Sequence, residues 1–228
     1  MADRRIDWID RAKGMAVFLV VLGHTPVPAP LVREIYTFHM PLFFFLSGWV
    51  FRPERYRGWR DFAANKARSL LVPYTCFGLL RAGAVLIAGW AGQVESGNPL
   101  ELFGGIAVSL RKTAWSAGLW FLPCLFVSEM LFYGLLRLAR GSGGRAAALF
   151  LAASLAGGVY ATLGGPVLPW GIDVSCTCAA LLGVGYLTHT CAKRLRRCAR
   201  PAAALVLLAV NLASGALHFA WTGRQVDL

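Results

Sequence analysis

Long stretches without a charged residue constrain this sequence more than any other feature. A helix needs roughly 20 apolar residues to cross the hydrocarbon core of a bilayer, and five uncharged stretches have about that length. They are residues 14–32, 35–51, 146–172, 174–192 and 201–223. Two further stretches contain one charge each, Arg81 in 70–89 and Glu129 in 118–136. We therefore predict an all-α, polytopic bundle of about seven transmembrane helices.

The composition excludes a soluble domain and a disordered tail. Hydrophobic residues make up 57% of the 228 residues and charged residues 15%, whereas soluble domains contain roughly 25% charged residues. Six cysteines, most of them within the predicted spans, lack the spacing of a zinc site or a disulfide framework. We predict no metal and no bound cofactor.

The distribution of positive charge predicts the orientation of the bundle. The net charge is +12 at pH 7. When successive loops are assigned alternately to the two sides, most Lys and Arg residues fall on the side of the N-terminus, and the other side has Arg33, Arg111, Lys112 and Arg224. Because cytoplasmic loops carry an excess of Lys and Arg, we predict a multi-pass protein of the inner (cytoplasmic) membrane with a cytoplasmic N-terminus. The positive charge is explained by the orientation of the protein in the lipid bilayer, and we predict no nucleic-acid partner.

The first predicted span aligns a cation with a histidine. Lys13 and His24 are about three helical turns apart, so their side chains lie near one face and about 16 Å apart along the axis. Asp10 is placed to pair with Lys13. Ionisable groups at bilayer depth are costly and are candidates for function, and an imidazole suits proton transfer near neutral pH. The structural alternatives are a snorkelling Lys13 and a hydrogen-bonded packing role for His24.

The second predicted span contains the segment FHMPLFFFLSG at residues 38–48. His39 begins this span on the outer side, where His24 ends the first span, so the two imidazoles are candidates for a close approach; an interfacial position for His39 is the alternative. The Phe run predicts a packing or lipid-facing surface, and Ser47-Gly48 predicts a close contact between helices. Ser47 would act as a nucleophile only beside a base.

Two cations precede the third predicted span. Lys66 and Arg68 lie in KARSLLVPY at residues 66–74, at the predicted level of Lys13. A cluster of cations there suits a phosphate-bearing ligand that approaches from the cytoplasm. Trp120, in LWFLP at residues 119–123, is either an interface anchor or a wall of a pocket.

Spacing does not decide the roles of the remaining ionisable residues. Glu129 and Arg81 are both mid-span, and they either neutralise one another or contribute to a polar cavity. Asp173 lies at an outer helix start, where the helix dipole stabilises a carboxylate. No motif surrounds His189 or His218, and we predict that both are structural.

Four segments together resemble the membrane-bound acyltransferase family 3, particularly its fucose 4-O-acetylase-like branch of glycan O-acetyltransferases. They are the Lys13 to His24 pattern preceded by Asp10, and the segments FHMPLFFFLSG, KARSLLVPY and LWFLP. The resemblance extends over essentially the whole chain and implies one membrane acyltransferase domain over residues 1–228. The resemblance also implies that family members usually continue with several more spans, so we expect this chain to be an N-terminal portion or a shortened member.

The resemblance implies transfer of an acyl group, usually acetyl from acetyl-CoA, to a sugar hydroxyl outside the cytoplasm. The family's basic-to-histidine motif corresponds to Lys13 and His24, and its paired basic positions correspond to Lys66 and Arg68. In this hypothesis Lys13, Lys66 and Arg68 bind the phosphates of acetyl-CoA, which is a co-substrate. His24 is the catalytic residue, as a general base or as the carrier of the acetyl group.

Asp10, His39 and Trp120 complete the hypothesis as supporting residues, and the acceptor is a glycan or a lipid-linked saccharide. A transporter or flippase for an acyl donor or a lipid-linked glycan is the alternative from another class, because it would use the same buried polar groups. The alignment of Lys13 with His24 and the other three segments favour the enzyme. A transporter would more naturally show two related halves.

Overall fold

The computed structural model describes residues 7–26, 28–92, 98–111 and 118–191, and every regular element among these residues is helical. The principal helices are α1 (Asp7–Gly23), α2 (Ala29–Val50), α3 (Trp59–Lys66), α4 (Val72–Trp90), α5 (Pro99–Val108), α6 (Phe121–Leu138), α7 (Gly143–Thr162) and α8 (Ile172–Thr190). A π-helical turn, Ala67–Leu71, joins α3 to α4, and short 3₁₀ turns occupy Pro53–Arg55 and Pro169–Gly171. The prediction of an all-α fold is confirmed for these residues.

Four helical segments in the described part of the chain are long and apolar enough to cross a membrane. They are Trp59–Trp90, Phe121–Leu138, Gly143–Thr162 and Pro169–Thr190. They correspond to predicted spans 70–89, 118–136, 146–172 and 174–192. The last predicted span, 201–223, lies outside the described residues.

Glycine and proline shift the bounds of two predicted spans. The stretch 14–32 is not one helix: α1 begins at Asp7 and ends at Gly23, and a turn with Pro26 and Pro28 separates it from α2. Proline has no N–H donor for a helix interior. The stretch 146–172 is likewise interrupted, because α7 ends at Thr162, two residues before the positive-φ Gly164. Uncharged length therefore overestimated both spans.

The chain divides into two compact units, Met1–Phe51 with Leu181–Leu228, and Arg52–Ala180. In the first unit α1 and α2 form an antiparallel pair. Trp8 at the start of α1 contacts Trp49 near the end of α2, with ring centroids 5.2 Å apart. At the other end, a side chain at Gly23 would meet the ring of Tyr36. The end of α1 thereby lies against the first half of α2.

Two glycines bring α2 and the C-terminal half of α8 into close contact within the first unit. A Cβ atom at Gly48 would overlap the carbonyl group of Leu182, and a Cβ atom at Gly185 would overlap the carbonyl group of Phe45. Small residues allow helix backbones to approach closely in a membrane. The close contact predicted for Gly48 is confirmed.

We expect Gly48→Ala to destabilise the protein because the added methyl group has no space. Overpacking of a tight contact costs about 1–3 kcal/mol, and here the obstacle is backbone, which cannot rotate away. Gly83→Ala in α4 is the matched control, since nothing lies within 4 Å of a Cβ atom there. Thermal unfolding in detergent should show a lower midpoint for Gly48→Ala and an equal or higher midpoint for Gly83→Ala. Equal midpoints for Gly48→Ala and the wild type would contradict the close contact.

In the second unit, α3 and α4 form one continuous helical segment of 32 residues, Trp59–Trp90. Pro73 cannot donate to the carbonyl four residues before it, and the backbone there takes the wider π turn, Ala67–Leu71. Thr75 Oγ1 donates a hydrogen bond of 2.9 Å to the carbonyl of Leu71. π turns inside α-helices are frequent at functional sites, and this one directly follows Lys66.

Helix α6 forms much of the core of the second unit. The rings of Phe62 in α3 and Tyr133 in α6 are 4.3 Å apart. The rings of Phe132 in α6 and Phe150 in α7 are stacked at 5.5 Å. Phe62, Phe132, Tyr133 and Phe150 are all buried. These contacts fix α6 against both α3 and α7, and they position the polar residues of α6 described below.

Candidate functional site

The packed face of α1 carries Lys13. Ile9 and Ala16 are buried, and Lys13, which lies between them at helical spacing, is half-buried. Met15 and Phe18 are exposed at 66% and 64% of their surface, as lipid-facing residues would be. Lys13 therefore lies on the side of α1 that contacts protein.

His24 directly follows the last residue of α1, and its side chain is accessible. Its Nδ1 atom is 2.8 Å from the carbonyl oxygen of Val20. A carbonyl can only accept, so Nδ1 carries the hydrogen, and in the neutral imidazole the lone pair is then on Nε2. The backbone at the end of α1 thus orients the neutral imidazole with Nε2 as the nitrogen that can act as a general base.

Tyr36 lies between the two histidines of the first unit. Its ring centroid is 6.3 Å from that of His24 and 5.1 Å from that of His39. His39 is buried, and its Nδ1 atom is 2.6 Å from the carbonyl oxygen of Ile35. The two imidazoles flank one tyrosine ring. Sequence reasoning missed Tyr36, although its spacing of three residues from His39 places both on one helical face.

Asp10 is exposed on α1. Within the residues that the structure describes, no ion pair joins its carboxylate to the ammonium group of Lys13. Exposed pairs of this kind contribute little, about 0–1 kcal/mol. The predicted pairing of Asp10 with Lys13 is not seen in the structure.

In the second unit Lys66 forms an ion pair with Glu129. Lys66 Nζ is 2.8 Å from Glu129 Oε1, with 19% of the Lys66 side chain and 4% of the Glu129 side chain exposed. The ammonium group also lies 5.9 Å from the centroid of the Phe62 ring. Spacing left two interpretations of Glu129, neutralisation by Arg81 or a place in a polar cavity. In the structure, the Glu129 carboxylate pairs with Lys66. An ammonium group has three donors, so this bond leaves Lys66 capable of further contacts.

Arg68 lies two residues beyond Lys66, within the π turn Ala67–Leu71, and is exposed. Its environment differs from that of Lys66, whose ammonium group is directed at a buried carboxylate. Of the two residues predicted to bind phosphate, Arg68 thus has an accessible guanidinium group and Lys66 has a partly buried ammonium group. Their role in phosphate binding stays a prediction.

Trp120 belongs to a second polar group in the same unit. The guanidinium carbon of Arg111 lies 5.6 Å from the centroid of the Trp120 ring, and Arg111 Nη2 donates to Asp173 Oδ2. The Arg111 and Asp173 side chains are 8% and 6% exposed. The position of Asp173 in the first turn of α8 is as predicted. Arg111 was missed, because sequence reasoning counted it only as a loop cation.

Unusual backbone geometry supports this group. Ser109 and Trp170 both have positive φ, at 47° and 58°, a conformation that costs a non-glycine residue about 1–2 kcal/mol. The Trp170 N–H donates to the carbonyl of Ser109 at 3.3 Å, and Trp170 Nε1 donates to the carbonyl of Ala107 at 2.8 Å. These bonds join the segment after α5 to the segment before α8. Arg111 and Asp173, which follow the two segments, are thereby held opposite each other.

Comparison with known protein families gives a match over nearly the whole chain. The acyltransferase family 3 profile, described as an acyltransferase domain, matches residues 6–226. The chain belongs to acyltransferase family 3. No curated protein and no solved structure matches it.

Membership of acyltransferase family 3 confirms the resemblance carried by Lys13, His24 and the three other segments. Together with the apolar helices, it supports a membrane protein with acyltransferase activity. The fucose 4-O-acetylase-like branch stays a prediction, as do the individual roles of the site residues.

Proposed function

We propose that this family 3 protein is an O-acetyltransferase of the inner membrane. It transfers an acetyl group from cytoplasmic acetyl-CoA to a hydroxyl of a cell-surface or secreted glycan, or of a lipid-linked saccharide. In this proposal seven helices cross the bilayer and the N-terminus is cytoplasmic. The observation that carries it is the accessible imidazole of His24, whose Nδ1 bonds to Val20 and leaves Nε2 as a base.

The proposed reaction moves one proton through His24. Nε2 accepts the proton of the acceptor hydroxyl while the hydroxyl oxygen attacks the thioester carbonyl. The tetrahedral intermediate collapses, the carbon–sulfur bond breaks, and the imidazolium returns the proton to the sulfur of CoA. The products are an acetyl ester and free CoA. The same Nε2 atom would be the nucleophile if the acetyl group were carried on His24, which also agrees with the tautomer.

Three cations are proposed to bind the phosphates of acetyl-CoA: Lys13, Lys66 and Arg68. Arginine and lysine both bind phosphate, arginine through a bidentate fork and lysine as a point charge. Lys13 lies on the protein-facing side of α1, and Arg68 is accessible in the π turn. Lys66 keeps donors beyond the one directed at Glu129.

We expect Lys13→Ala and Arg68→Ala each to raise the KM for acetyl-CoA by about 10-fold or more, because charge-assisted hydrogen bonds contribute about 1.5–3 kcal/mol. Initial rates in membrane vesicles over a range of acetyl-CoA concentrations measure this. Arg145→Ala, at the exposed start of α7, is the control and should leave the KM unchanged. An unchanged KM in both Lys13→Ala and Arg68→Ala would reject phosphate binding by these residues.

Labelled acetyl-CoA tests the reaction class directly. Inverted vesicles containing the protein are supplied with acetyl-labelled CoA, and both the label in glycan and the movement of glycan across the bilayer are measured. An acetyltransferase transfers label to glycan without net movement of glycan. A transporter or flippase moves glycan or donor without forming the ester, and that result would replace the present proposal.

A further inference from the structure

Arg111 and Asp173 form a buried ion pair in which each side chain keeps one polar atom without a hydrogen bond. Both side chains are more than nine-tenths buried. Within the described residues, Arg111 Nε and Asp173 Oδ1 make no hydrogen bond, although Nη2 and Oδ2 bond to each other. Buried polar atoms normally have partners. The pair thus keeps one buried donor and one buried acceptor without a hydrogen bond among the described residues.

The charges select the ligand chemistry that fits these two atoms. The ion pair is neutral overall, so an anion would meet the Asp173 carboxylate and a cation would meet the Arg111 guanidinium group. A hydroxyl group is neutral and both donates and accepts hydrogen bonds. One hydroxyl can accept from Nε and donate to Oδ1, and a sugar offers several hydroxyls in adjacent positions.

Trp120 adds a surface that suits a sugar ring. Its indole lies beside the Arg111 guanidinium group, with 5.6 Å between the guanidinium carbon and the ring centroid, and it is half-buried. Aromatic rings commonly contact the C–H faces of sugar rings. The hydrogen bonds between Trp170 and the carbonyls of Ala107 and Ser109 hold the surrounding backbone.

We propose that Arg111, Asp173 and Trp120 bind the hydroxyl-bearing acceptor, a neutral saccharide, on the predicted outer side of the membrane. The inference rests on the proposed acetyltransferase function and adds the part of the protein that recognises the acceptor. Arg111 Nε donates to an acceptor hydroxyl oxygen, and Asp173 Oδ1 accepts from a hydroxyl. The burial of this pair keeps water away from these bonds.

Arg111→Lys is the most discriminating variant, because lysine keeps the positive charge opposite Asp173 but has no Nε–H donor. Surface polysaccharide from cells that lack the gene serves as the acceptor, and transfer from labelled acetyl-CoA is measured while each substrate is varied. We expect the KM for polysaccharide to rise by about 10- to 100-fold, the effect of losing one charge-assisted hydrogen bond. The KM for acetyl-CoA should stay within about 2-fold of wild type, because the substitution does not alter the residues that bind acetyl-CoA. Arg145→Lys is the control and should change neither value.

Trp120→Phe provides a second measurement that does not depend on the ion pair. It should raise the KM for polysaccharide by about 3- to 10-fold, whereas Trp90→Phe, at a residue 90% exposed, should not. If Arg111→Lys is not recovered as folded protein, Trp120→Phe decides the question. An unchanged polysaccharide KM in the folded variants, with an active wild type, overturns acceptor binding here. A wild type that transfers no acetyl overturns the proposed function itself.

Discussion

His24→Ala should reduce acetyl transfer by about 10²- to 10⁴-fold, the usual contribution of a general base. The variant loses the Nε2 lone pair that the hydrogen bond between Nδ1 and Val20 leaves available. His24 is accessible and lies at the end of α1, so its removal should leave the packing of Ile9 and Ala16 unchanged. The measurement is initial-rate transfer from labelled acetyl-CoA, at matched amounts of inserted protein.

The control for this variant is His218→Ala, at a histidine that no motif surrounds. It should retain activity. Both variants should insert equally, and His24→Ala should unfold at the wild-type temperature. Added imidazole should partly restore transfer to a His24→Gly variant, because a small base can occupy the space of the missing ring. Full activity in His24→Ala would remove His24 from the mechanism.

Lys66→Met should destabilise the fold by about 3–5 kcal/mol, the usual cost of breaking a buried ion pair from one side. Glu129 is only 4% exposed, and the substitution removes the cation 2.8 Å from its carboxylate. Glu129→Gln should cost less, because the Lys66 side chain is 19% exposed and its ammonium group can turn toward water. Unfolding of purified protein in mixed detergent measures both variants.

The double variant Lys66→Met with Glu129→Gln separates the ion pair from other effects. It should be more stable than Lys66→Met alone, because a neutral amide replaces the carboxylate that the cation had compensated. Additive losses in the double variant would contradict an energetic coupling between the two residues. The KM for acetyl-CoA in the same preparations tests phosphate binding by Lys66 independently of stability.

Helices were predictable from the sequence because a bilayer demands long apolar stretches. The scarcity of charge located α6, α7 and α8, but it did not locate their ends. The helix ends depend on residues that interrupt backbone hydrogen bonding, such as Pro28 before α2 and Gly164 after α7. The π turn after Lys66 has the same origin, since it precedes Pro73.

The polar contacts were predictable only where they are local. Helical periodicity predicts which side of α1 carries Lys13, and it places His24 at the end of the same helix. Tyr36 was equally accessible to this reasoning, because it is three residues from His39 and shares its face. The bond that fixes the His24 tautomer is also local, to a carbonyl four residues earlier.

Distant pairs could not be predicted from spacing. Lys66 and Glu129 are 63 positions apart, and Arg111 and Asp173 are 62 apart. Which carboxylate meets which cation depends on how α3 packs against α6, and on how the segments after α5 and before α8 are joined. The periodicity of a single sequence does not indicate which distant residues are in contact. From spacing alone, Arg111, the centre of the proposed acceptor site, is therefore only one of several loop charges.

Mass spectrometry of surface polysaccharide tests the central claim, acetyl transfer to a glycan hydroxyl, most directly. Cells that lack the gene are complemented with the wild type or with His24→Ala, and their polysaccharides are compared. We predict that the wild type adds the mass of one acetyl group per modified unit, removable by mild base as an ester would be, and that His24→Ala does not. Identical spectra from the two complemented strains would contradict the account.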